Sequence, residues 1–133
     1  MKKNMDWDAI RDELIEILKE AEQFHSENYD KTCFLSAYQL AVLLYKRNKN
    51  LVINSSFFNN IGGKGDGSKN SLAQYIALSL SRDIKRTDEA SLKDEVEMAF
   101  FNTSGLEQFS FLDEKGIISQ PSNTCFSMFR YKR

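Results

Sequence analysis

One proline, one histidine, two cysteines and six glycines are all that 133 residues hold of these types. So little proline and glycine excludes a collagen-like or low-complexity chain. Cys33 and Cys125 are too few and too far apart for the disulfide framework of a small secreted domain. In a reducing compartment they are expected to be two buried thiols. His25 with two distant cysteines does not make a four-ligand zinc site unless carboxylates complete it, so no metal and no cofactor is expected. Long apolar runs are missing as well. The longest, Leu40 to Tyr45, falls far short of the roughly 20 residues of a membrane span. Behind Lys2 and Lys3, the charges of Asp6, Asp8, Arg11, Asp12 and Glu13 interrupt any apolar region of the kind a secretory signal needs. A cytoplasmic protein with no membrane partner is the expectation.

What is present suits a folded domain. Ten phenylalanines, five tyrosines and a tryptophan supply a core, and a chain of this length buries roughly two-thirds of its unfolded surface. A single domain over 1–133 follows. Its charge is unevenly spread, despite a net of −1. Residues 1–30 carry four basic and nine acidic side chains, residues 31–87 nine and two, and residues 88–133 five and eight. A basic middle between acidic flanks is a hint about partners, provided that folding gathers the basic residues on one face.

Trp7, Ile10, Leu14, Ile17, Ala21 and Phe24 repeat at spacings of three and four, which predicts an acidic amphipathic helix over 6–28 with Asp6 as its N-cap. Ser36-Ala37-Tyr38-Gln39 and Ser71-Leu72-Ala73-Gln74 both fit the capping box, where serine and glutamine satisfy each other's backbone amides. They predict a second helix over 36–48 and a third over 71–86. Between them Leu51-Val52-Ile53 reads as a β-prone run, followed by a glycine-rich loop.

After Thr87 the apolar period falls from four to two. Val96, Met98 and Phe100 mark one strand, Phe109 and Phe111 a second, and Phe126 and Met128 a last. A competing reading extends a helix from a Ser91 cap through Met98. The expected architecture is α+β: three helices followed by a small antiparallel β-meander, over 88–133, in winged-helix-like order.

Chemistry-bearing patterns are scarce. Gly63, Lys64, Gly65 and Gly67 precede a helix N-terminus, an arrangement that holds anions through free amides. Gly62 and Gly67 have the P-loop spacing, but Ser68 stands where that motif needs lysine, and the dinucleotide pattern lacks its third glycine. Glycines serving only for turns in a solvated loop are the plainer reading. Neither cysteine has a neighbouring histidine in sequence to act as its base, so the chain is not expected to be an enzyme.

Two functions from different classes remain. In winged-helix order the third helix would read nucleic acid, DNA or RNA. Lys69, Asn70, Ser71, Gln74 and Tyr75 would then face base edges, with Lys46, Arg47, Arg82, Lys85, Arg130, Lys132 and Arg133 on phosphates. Against it, about 22 residues separate the second and third helices, where a helix-turn-helix uses three or four. The alternative is a non-catalytic protein-interaction or homodimerisation module. It would use the first helix, or a strand face rich in aromatics, where the adjacent Phe100 and Phe101 leave one ring to point outward. Basic side chains gathered around an exposed third helix would favour nucleic acid; an exposed apolar patch would favour a protein partner.

Overall fold

The computed structural model describes residues 7–26, 29–53, 61, 71–105, 111–113, 116–118 and 125–132. Helix α1 (Trp7–Glu20) buries Ile10, Leu14, Ile17 and Leu18. It ends eight residues before the predicted terminus at 28. The chain turns instead into an antiparallel hairpin of β1 (Gln23–Ser26) and β2 (Tyr29–Thr32), with Ser26 opposite Tyr29. His25, expected near a helix end, therefore lies in a strand. Tertiary contact explains the change. Thr32 is buried and its hydroxyl donates to the Tyr131 carbonyl at 2.7 Å, while the Cys33 amide bonds the Glu22 carbonyl at 2.7 Å. Tyr29 and Thr32 also suit a strand better than a helix.

A two-residue strand β3 (Leu35–Ser36) leads into α2 (Ala37–Arg47). Ser36 closes the predicted capping box: its hydroxyl accepts from the Gln39 amide at 3.1 Å and the Gln39 side chain accepts from Ser36 at 2.8 Å. The β-prone run is a correction, since α3 (Lys49–Ile53) is a short helix. Asn48 ends α2, and its side-chain oxygen accepts the Leu51 amide, restarting a helical turn that buries Val52. Helix α4 (Leu72–Lys85) repeats the capping box on Ser71 and Gln74 and matches the predicted third helix.

Helical turns between α4 and the next strand are brief. The amides of Glu95 and Val96 both reach the Leu92 carbonyl, and β4 (Val96–Asn102) then begins, so the helix through Met98 does not form. A hairpin of β5 (Phe111–Asp113) and β6 (Gly116–Ile118) follows, then β7 (Cys125–Tyr131). The fold is α+β, as predicted. Its main sheet is antiparallel in the order β3-β7-β4, which is not a simple meander. β4 pairs along its whole length with the last strand, Val96 opposite Tyr131 and Asn102 opposite Cys125, and the β5–β6 hairpin is an excursion between them. Phe109 lies outside the described residues.

One sheet face packs on the helices. Val96, Met98, Phe129 and Tyr131 point there, against Leu14, Leu40, Leu44, Leu72, Ile76 and Leu80. The other face carries Glu97, Ala99 and Phe101 beside Arg130, Met128 and Phe126. Both cysteines are exposed free thiols rather than buried ones, because Cys33 links two strands at the surface and Cys125 opens β7 at the sheet's end. No helix among the described residues is long and apolar enough to cross a membrane.

Candidate functional site

The basic middle of the chain is divided by folding. On α1, with 100° per residue, Glu13 and Glu20 fall on one flank of the buried stripe and Arg11 on the other. Arg47, at the end of α2, bonds Glu13 at 2.8 Å and Glu20 at 2.9 Å, and these partners raise its pKa. The end of α4 lies on the opposite flank, where Arg11 reaches Asp83 at 2.9 Å. The basic ends of α2 and α4 thus meet opposite flanks of α1. Arg130, expected on phosphate, bonds Glu97 at 2.9 Å and lies 4.4 Å from the Phe34 ring centroid.

The predicted reading end of α4 is also committed. Ser71 is fully buried and holds the Gln74 amide, and the side-chain oxygen of half-buried Gln74 holds that of Ser71, so these groups serve to start the helix. Lys69, Asn70, Gly63, Lys64, Gly65 and Gly67 lie outside the described residues. What α4 does present is an outward face of Leu78, Arg82 and Lys85.

Asp83 is the group the sequence did not single out. Its side chain is 1% exposed, yet it accepts from the Trp7 indole at 2.8 Å, Arg11 at 2.9 Å and Arg82 at 3.1 Å. Burial pushes its pKa up, but the Trp7 and Arg82 hydrogen bonds with the Arg82 and Arg11 charges outweigh that and hold it below the ordinary carboxylate value. Arg86 stands 3.9 Å away and is held by Asp88 at 2.8 Å. This is a structural clasp between α1 and α4, with guanidinium charge left facing water. Trp7 to Asp83 spans 76 positions, so no local pattern announces it.

Apolar exposure concentrates at the end of β4. Phe100 is 65% exposed and Phe101 36%, whereas the sheet's helix-facing residues Val96 and Phe129 are closed off. Phe101 lies directly across from Phe126, ring centroids 5.3 Å apart, and Phe126 in turn meets Tyr38 edge-on at 5.8 Å. Burial raises the Tyr38 pKa. Phe100 projects from the core face at a point where the helices no longer cover it.

A separate open groove of 440 Å³ runs beside the end of α1, lined by Ile17, Ala21, Leu35 and Leu43 with Glu20, Glu22, Cys33, Lys46 and Arg47. Charges of both signs line it, so it favours no single ligand class. Among the described residues no three His, Cys, Asp or Glu side chains come together as a metal-ligating group. Comparison with known proteins finds no matching family model, no matching curated protein and no matching solved structure.

Proposed function

We propose that the protein is a non-catalytic interaction module whose contact surface is the aromatic end of β4. The observation that carries this reading is Phe100, a large apolar side chain 65% exposed on a regular strand. Single exposed hydrophobic residues are ordinary, but here a second exposed phenylalanine, Phe101, follows on the opposite face of the same strand, so among the described residues the β4 end exposes two aromatic rings where Ile53 and Leu78 stand alone. Aromatic side chains bury much area at little entropic cost and are enriched at protein contacts. Pairing of Arg47 with α1 and of Arg130 with Glu97 adds support, because it removes two cations from the set a phosphate backbone would need.

The test compares the immobilised wild-type chain with Phe100→Lys, offering each both free wild-type chain and a host extract. Binding that depends on Phe100 is the expected outcome. Equal retention by both chains, or none by either, would contradict the reading.

Nucleic-acid binding keeps one specific support, the exposed Arg82, Lys85 and Arg86 on the last turns of α4. In that second reading α4 would lie along phosphates and carry little base readout. Two or three phosphate contacts correspond to a log–log salt slope of about −2 to −3 for duplex DNA. Fluorescence anisotropy at low and moderate salt, repeated on Arg82→Ala with Lys85→Ala, separates the two readings.

A further inference from the structure

We infer that β4 pairs edge to edge with β4 of a second copy of this chain, antiparallel about a twofold axis at Ala99, joining two three-stranded sheets into one of six strands. This rests on the interaction reading above and names its partner. β4 closes the order β3-β7-β4, so among the described residues its outer edge has no ladder partner. Native proteins blunt such edges with lysine, proline, a bulge or a very short strand. β4 uses none of these. It runs for seven residues, Val-Glu-Met-Ala-Phe-Phe-Asn, and its register with β7 advances one residue at a time without a bulge. Its one charge, Glu97, is held by Arg130 across its own sheet at 2.9 Å.

The strand's own sequence selects the register. Ala99 is the midpoint of β4, so a twofold axis there pairs all seven residues. An axis perpendicular to the sheet keeps core face with core face. Met98 then lies opposite the second copy's Phe100, and Phe100 opposite its Met98, which covers the most exposed ring among the described residues with an apolar neighbour. Ala99 faces its own mate, so no bulk collides at the axis. Glu97 faces Phe101 of the copy. The two Glu97 residues stand four positions apart along the strands, about 13 Å at 3.3 Å per residue, beyond the Debye length of about 8 Å at physiological salt. Like charges are kept apart in this register.

Sedimentation velocity across a wide concentration range tests the pairing. The expected species has the mass of two 15.4 kDa chains. Because Ala99 meets its own mate, Ala99→Glu should weaken the dimer by at least about tenfold through like-charge contact. Mixing Ala99→Glu with Ala99→Lys should restore a dimer of one chain of each kind, a rescue that a misfolded variant would not give. Ala99→Ser, checked for an unchanged melting temperature, should leave the dimer intact. A monomeric wild type, or a dimer indifferent to both charged variants, overturns the inference. If that monomer still binds another protein through Phe100, the interaction reading stands and only the twofold pairing falls; if Phe100-dependent binding is absent too, both fall.

Discussion

Asp83 shows how one residue links the N-terminal helix to the sheet side of the molecule. Its side chain ties Trp7 and Arg11 of α1, and its carbonyl accepts the Leu92 amide at 2.9 Å, just ahead of β4. Asp83→Asn removes the charge that Arg11 and Arg82 bond while their guanidinium groups still reach water, so it is expected to lower unfolding stability at neutral pH by about 1–2 kcal/mol, measured by urea titration. The pH dependence has a definite sign. A carboxylate whose folded pKa lies below its unfolded value of 3.8 contributes stability that is complete above that value. The contribution is lost as pH falls through the lower, folded value. The gap between wild type and Asp83→Asn should therefore be constant near neutrality and shrink below about pH 4. A gap that widened in acid would contradict this account of the clasp.

At the scale of elements, locally encoded features were legible in sequence and those set by distant contacts were not. Both capping boxes are four-residue patterns, and both form with the predicted partners. Ser36→Ala and Ser71→Ala should each cost about 1 kcal/mol in thermal or chemical unfolding. Both serines are buried, so water does not readily replace either hydroxyl at the Gln39 or Gln74 amide. Leu80→Ala, at the centre of α4's buried stripe, should cost about 2–5 kcal/mol. The end of α1 was misread because Ala21 and Phe24 continue a helical spacing, while the hairpin that replaces it depends on Thr32 meeting Tyr131, 99 positions away. The pairing of β4 with β7 was hidden for the same reason. Alternation marks a strand but does not name its neighbour. Of the candidate site, adjacency indicated that one ring of the Phe100–Phe101 pair leaves the core face, but not that Phe100, on the core face itself, is the more exposed, since that depends on where the helices end. The partners of Arg47 and Arg130 were not, since each ion pair joins different elements.

Over the whole molecule, the charge blocks of the sequence do not survive as faces. α1 meets the ends of both other long helices, its Glu13 and Glu20 pairing with Arg47 of α2 on one flank and its Trp7 and Arg11 clasping Asp83 of α4 on the other. A duplex-DNA salt slope of about −3 is then the most the described cations of α4 support, and a slope steeper than about −4 would show that a larger basic surface forms. Among the described residues, the plainest surface feature is a β4 edge without a ladder partner, beside exposed aromatic rings. Hydrogen–deuterium exchange of peptides covering 96–102, at dilute and concentrated protein, tests that claim most directly. The account predicts that the β4 amides left unbonded by β7 exchange more slowly at the higher concentration, while α2 and α4 are unchanged. Exchange across β4 that is the same at both concentrations, with the protein sedimenting as a monomer, would contradict it.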